Sequence, residues 1–289
     1  MMLAPLRTPE ALDCRKRFSR TVARLAVRSL YAELTLYPKP GLVSLVDNGS
    51  HGDMNASTFV RSMFALRHYF RDITHAGSRS AEFGELVSLG IAAERRMLAA
   101  TAGINTHRGA IFALGMLCAA AGQVHARGLA ASPERLRAVL HEHWGAALAE
   151  HAAQHAPLSH GRRAAQRYAV GGARDEAALG FPCVFQVALP AMRAALQAGR
   201  EVGAARIDAL FSLMASMDDT NVLHRGGAAG AVFVRVEAQR FMALGGTARP
   251  DWKDVALTCH QQFTARRLSP GGAADLLAAT CLVQHLASL

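Results

Sequence analysis

The chain has 289 residues, of which 51% are hydrophobic and only 6% aromatic, and it carries a formal charge of +10. That length can bury a sizeable core without a disulfide or metal framework, and its wealth of alanine and leucine favours helices over a β-sandwich. All but three of the 32 basic residues are arginines, the lysines being Lys16, Lys39 and Lys253, so the charge serves either solubility or an anionic partner such as phosphate.

The N-terminus carries Glu10 and Asp13 and has no apolar stretch of signal-peptide type. The five cysteines form no CxxC pair, which excludes a zinc ribbon or redox dithiol and fits small core residues in a reducing cytoplasm. The first polar cluster, Tyr37-Pro-Lys-Pro-Gly-Leu-Val-Ser44, reads as a rigid loop. Phe59, Met63, Leu66, Phe70 and Ile73 then fall on one helical face. A second cluster, Gly103-Ile-Asn-Thr-His-Arg-Gly109, precedes an uncharged run whose helix passes through Ile111–Cys118, with Asn105 or Thr106 as its cap. The uncharged run Gly109–Val124 falls short of the ~20 apolar residues of a membrane span, so a cytoplasmic protein is expected. Residues 126–159 read as a peripheral helical pair, and Gly171-Gly-Ala-Arg-Asp-Glu176 as a turn.

Pro182 opens a helix toward Gln197, and Ile207, Leu210, Phe211, Met214 and Met217 line another helix ahead of Asp218-Asp-Thr-Asn-Val-Leu-His-Arg-Gly-Gly227. Val232–Val236 alternates with period two, yet its flanks predict helix. Ser269 and Pro270 predict a cap and first turn for a last helix over Gly271–Leu286. No internal repeat or linker divides the chain. The expectation is one all-α domain over residues 1–289 with roughly ten helices, its site built from inter-helix loops and helix N-termini.

Asp218 and Asp219 are the first candidates for a metal, because magnesium takes carboxylate oxygens and bridges nucleotide phosphates while holding one or two carboxylates. An aspartate pair after a helix is otherwise a solvated loop or a cap. Asp275, one turn into the last helix, supplies a further carboxylate or simply complements the helix dipole. Lys39 sits between two prolines and before Gly41, so a stiff loop presents one ammonium. His107 and Arg108, at a helix start, would cradle an anion together with free N–H groups; the competing view makes Asn105 or Thr106 a plain cap and His107 a surface residue. A P-loop, GxGxxG, HExxH and nucleophile elbow are all absent.

In order along the chain come Glu33, Pro-Lys-Pro-Gly-Leu-Val (38–43), Asn-x-Gly-x-His-x-Asp-Met (48–54) and Gly-Ile-Asn-Thr-His-Arg-Gly (103–109). They are followed by Asp-Asp-Thr-Asn (218–221), His-Arg-Gly-Gly (224–227) and Ser-Pro-Gly-Gly-x-Ala-Asp (269–275). Together these resemble the triphosphoribosyl-dephospho-CoA synthase family over roughly residues 30–285. The resemblance implies an all-α enzyme that moves the 5-triphosphoribosyl group of ATP onto 3′-dephospho-CoA with release of adenine. The product is the precursor of a prosthetic group that a second transferase attaches to an acyl carrier protein. Arg108 and the 36–44 segment look more like the malonate decarboxylase branch than the citrate lyase branch, whose members often carry Lys there.

On that chemistry, Mg²⁺ on Asp218 and Asp219 would hold the triphosphate. Lys39, Ser44, His51, Asn105, Thr106, His107, Arg108, Asn221, His224, Arg225, Gly226, Gly227, Ser269, Gly271 and Gly272 would bind substrate. Glu33 is the first choice for the base that accepts the ribose hydroxyl proton, with Asp53 and Asp275 as the others. A magnesium-dependent glycohydrolase of ADP-ribosyl groups is a rival that would use water in place of dephospho-CoA. A non-catalytic nucleic-acid module is the other, disfavoured by scattered basic residues and sparse aromatics. Alanine-rich faces are compatible with a homodimer without specifying one.

Overall fold

The computed structural model describes residues 9–153, 168 and 172–289, and no strand occurs among them. Helix α1 spans Pro9–Leu34, α2 Ala56–Ser78, α3 Phe83–Ala100 and α4 Arg108–Ala126. Asn55 starts α2 by accepting the Thr58 N–H, while Thr58 returns its hydroxyl oxygen to the Asn55 N–H, a reciprocal cap. The expected apolar face of α2 is the buried one: Met63, Leu66, Phe70 and Ile73 lie in the core and Phe59 packs against it.

Helix α4 is long and apolar enough to cross a membrane, but it is mostly buried against α1, α2, α3 and the last helix. Leu114 and Leu117 are fully enclosed, each contributing ~1.5–3 kcal/mol by burial. Its approach to α2 is set by glycine: a Cβ on Gly77 would lie 2.0 Å from the Ala119 carbonyl oxygen, and one on Gly122 2.1 Å from that of Thr74. Helix α4 begins at Arg108 with His107 in the capping position, one or two residues later than the sequence implied.

In place of the expected helical pair, the described residues form a continuous rod. Helix α5 (Pro133–Val139) runs through a π-helical stretch, Leu140–Trp144, into α6 (Gly145–Ala153); residues 154–159 fall outside the described part. The rod is not peripheral, because Trp144 is buried and donates its indole N–H to the Ala81 carbonyl at 3.0 Å. Helix α7 (Ala173–Ala178) occupies most of the expected turn, with Gly171 outside the described residues. Pro182 does start a helical run: a π stretch over Cys183–Ala188 continues into α8 (Leu189–Gln197).

Helix α9 (Val202–Ser216) buries Ile207, Leu210, Phe211 and Met214 as predicted. Helix α10 (Thr220–Ala243) contains Val232–Val236, so flanking helical propensity prevails over the period-two pattern. It is kinked at Gly227, whose φ of 62° and ψ of −164° only glycine adopts readily. A short 3₁₀ turn, Gly246–Ala248, leads to α11 (Trp252–Ala265) and α12 (Gly271–Leu286). Pro270 occupies the capping position of α12, and Ser269 makes no cap bond there.

Candidate active site

The polar clusters come together where the N-termini of α4, α10 and α12 meet the loop after α1. In that loop Lys39 is 1% exposed, and its ammonium donates to the Glu33 carbonyl at 2.9 Å and to Glu33 Oε1 at 2.5 Å. Burial pulls the Lys39 pKa down while Glu33 resists. The loop is pinned from α11 by His260, whose Nδ1 lies 2.8 Å from the Lys39 carbonyl, and by the Ser50 hydroxyl, which donates to the Leu268 carbonyl at 2.5 Å. Gly41 sits so close to Leu268 that an added Cβ would lie 2.1 Å from the same oxygen.

At the start of α4, His107 is buried, with Nδ1 2.6 Å from the Ser62 hydroxyl and no partner on Nε2. Burial first, and Lys39 second, hold its pKa down to about 3. His107 is therefore a neutral interior group, which corrects the surface alternative. Thr106 donates to Ser62 at 2.8 Å, Asn105 Oδ1 accepts the Arg108 N–H at 3.1 Å, and Arg108 pairs with Glu94 at 2.5 Å. Two residues on, Gly109 lies against Asp275: a Cβ there would fall 2.1 Å from Oδ2. The Asp275 carboxyl, walled in by α4 and α12, is held well above the usual carboxylate range by burial, then by the charges of Glu33 and Asp219, against one bond from the Ala110 N–H.

Asp219 ties two helix starts together. Its Oδ1 accepts the N–H groups of Asn221 and Val222 at 2.8 and 3.4 Å, and its Oδ2 accepts that of Ala273 at 2.9 Å. These bonds oppose the rise that burial imposes on the pKa. Three N–H groups occupy both oxygens of one carboxylate. Asp218, by contrast, is exposed and paired with Arg235. The two aspartates therefore diverge and do not fit a resident magnesium ion, and among the described residues no group of three or more His, Cys, Asp or Glu is arranged for a metal.

On the rim, His51 Nε2 lies 2.8 Å from the Ser269 hydroxyl, and its Nδ1 lies 3.0 Å from the Arg225 guanidinium and 3.7 Å from Asp53. Arg225 also donates to the Ser50 carbonyl at 3.2 Å. Asn221 packs against Gly271, Gly226 against the Leu268 side chain, and Asn221 and His224 are exposed at the start of α10.

The family of ATP:dephospho-CoA triphosphoribosyl transferases matches residues 19–289, a span that holds every group in this crevice. The chain belongs to this family. A 2-(5′′-triphosphoribosyl)-3′-dephosphocoenzyme-A synthase of Pectobacterium atrosepticum is 40% identical over 292 aligned positions, covering 94% of this chain and 92% of that protein. Probable synthases of the same name from Acinetobacter calcoaceticus and Citrobacter koseri are 37% and 35% identical, covering 89% and 100% of this chain and 87% and 98% of their own lengths. No solved structure matches the chain.

Of the residues that the sequence singled out, the transferase fold buries Glu33, Lys39, His107, Asp219 and Ser269, with Asp275 half-buried beside them. It sets His51, Asp53, Asn221, His224, Arg225 and the glycine pairs Gly226–Gly227 and Gly271–Gly272 at more exposed positions around them. Ser44 faces its own loop, where its hydroxyl oxygen accepts the N–H groups of Val46 and Asp47 at 3.1 and 3.2 Å. Thr106 likewise turns inward, to Ser62. The sequence missed Ser62, Glu94 and His260, which hold His107, Arg108 and the Lys39 loop. Ser62 follows the buried face of α2 one residue before Met63, a signal that a polar group there meets a polar partner.

Proposed function

We propose that this crevice moves the 5-triphosphoribosyl group of ATP onto a ribose hydroxyl of 3′-dephospho-CoA and releases adenine. The observation that carries the reading is the meeting of all the family motifs at one place, where three helix N-termini and Lys39 face three carboxylates. The C1′–N9 bond must break while the phosphates stay intact, so the triphosphate is a handle. Helix N-termini and basic side chains suit it, and ATP enters as its magnesium complex, with the ion carried by the phosphates.

Positive charge develops on the ribose as adenine leaves, and a nearby carboxylate stabilises it. Glu33 suits this task better than that of base, because its oxygen is already occupied by the Lys39 ammonium. Asp275 keeps its proton to higher pH than an ordinary carboxyl and is placed to give it to departing adenine. Enclosure keeps water from intercepting the ribosyl cation. The product serves a second transferase acting on an acyl carrier protein, and Arg108 with the 36–44 segment favours the malonate decarboxylase branch. The reaction is placed in the cytoplasm. ATP labelled at the γ-phosphate tests the reading: the label should appear in a dephospho-CoA adduct, and label found only as free phosphate or ribose triphosphate would defeat it.

A further inference from the structure

His51, Ser269 and Asp53 form a hydroxyl–imidazole–carboxylate line beside the groups that hold Glu33 and Asp275. Ser269 Oγ is 2.8 Å from Nε2 of the ring, and Asp53 Oδ1 is 3.7 Å from Nδ1, just beyond hydrogen-bond length. Nearer to Nδ1 than Asp53 is Arg225, whose guanidinium reaches it at 3.0 Å. A guanidinium only donates, so Nδ1 must be the acceptor and Nε2 must carry the hydrogen. In that tautomer the ring donates to Ser269 and cannot take a proton from it. The free enzyme therefore holds His51 in the form that is useless as a base.

The restraint is removable. Arg225 is exposed, and among the described residues its other bond goes to the Ser50 carbonyl, so a triphosphate is a stronger partner for it than a neutral ring and a carbonyl. We propose that His51 is the general base of the transfer, armed when the bound triphosphate draws Arg225 off Nδ1 and Asp53 takes its place. With Nδ1–H directed at Asp53, Nε2 becomes the acceptor. The acceptor hydroxyl of dephospho-CoA then passes its proton to Ser269 Oγ as Ser269 passes its own to Nε2. The oxygen forms the bond to C1′, the C1′–N9 bond breaks, and adenine leaves protonated by Asp275. Ser269 and His51 touch the moving proton; Arg225 and Asp53 are positioning residues acting through His51. Base and nucleotide are thereby coupled, so the base forms only when ATP is in place.

The electrostatics agree. Burial and the Arg225 charge hold the His51 pKa down to about 4, with Asp53 pulling the other way. Among the described residues, Arg225 from α10, Asp53 from its own loop and Ser269 ahead of α12 face the ring. Removing Arg225 takes away one of the two downward pulls and leaves burial opposed by the Asp53 carboxylate.

The inference rests on the proposed transfer, but its decisive test needs no turnover. Histidine is labelled with ¹⁵N, and the His51 ring is assigned by its loss in His51→Gln. It is then titrated in the full chain, free and with magnesium-ATP but no dephospho-CoA. In the free protein the ring should stay neutral with Nε2 protonated at pH 6. Magnesium-ATP should raise its pKa by at least one unit, and Arg225→Gln should do so without ATP. A direct effect of phosphate on the ring is separated by Asp53→Asn, in which the ATP-driven rise should largely vanish. No rise with ATP, or a full rise in Asp53→Asn, overturns the proposal. In turnover, His51→Gln should lose at least a hundredfold in kcat with KM for ATP within threefold, and unchanged kcat would equally overturn it. A wild-type protein that makes no dephospho-CoA adduct refutes the transfer reading itself, and the titration reads independently of that result.

Discussion

Asp219→Asn separates a structural carboxylate from a metal ligand. In the folded chain the two Asp219 oxygens accept three backbone N–H groups, from Asn221 and Val222 at the start of α10 and from Ala273 at the start of α12. Asparagine keeps one oxygen and places an NH₂ where the other was, so at least one N–H donor at a helix start loses its acceptor. Each such donor costs about 1–3 kcal/mol. At ~2–4 °C per kcal/mol for a chain of this size, one lost acceptor should lower the melting temperature by roughly 2–12 °C. Thermal unfolding followed by circular dichroism reads it directly, with the magnesium dependence of adenine release measured on the same samples. A variant that melts within about 2 °C of wild type but needs more magnesium would show that Asp219 ligates the metal and that the reasoning from its backbone bonds is wrong.

Lys39→Met leaves Glu33 buried without its cation, which should destabilise by about 3–5 kcal/mol and weaken ATP binding in calorimetry; the double variant with Glu33→Gln should recover most of the stability but not the affinity. Asp275 has its folded pKa raised above the unfolded value, so its contribution to stability is full below the ordinary aspartate range and is lost as pH rises through the folded value. Asp275→Asn should therefore be neutral or stabilising in melts at pH 8 while abolishing the fall of kcat at high pH, and a destabilised variant with an unaltered pH profile would reject the proton-donor role. Gly109→Ala puts a methyl 2.1 Å from the Asp275 carboxylate, and at least a tenfold loss of kcat is expected from activity assays while helical circular dichroism is retained.

The helices were legible because burial imposes a period: the faces of α2 and α9 were readable apart from Met217, which lies past the end of α9 as its half-buried C-cap, and Val232–Val236 yielded to its helical flanks. The site was legible as a set of clusters but not as a set of contacts. Aspartate next to aspartate looks the same whether it binds magnesium or caps two helices, and only the arrival of α12 beside α10 decides that Asp219 caps. His107 looked like part of an exposed cradle because the sequence does not show Ser62 of α2 waiting beneath it. The rod from Pro133 was underrated since its anchoring depends on one tryptophan reaching a carbonyl at Ala81. Such long-range pairings carry no local signature, and they are what separates a motif from a site.

The central claim is that this crevice joins two substrates and does not hydrolyse one. The protein is incubated with magnesium-ATP, with and without 3′-dephospho-CoA, and adenine is quantified by chromatography alongside the mass of the coenzyme product. The account predicts adenine only when dephospho-CoA is present, in equal amount to an adduct that retains all three phosphates. Adenine released at the same rate without dephospho-CoA, with no adduct formed, would contradict it.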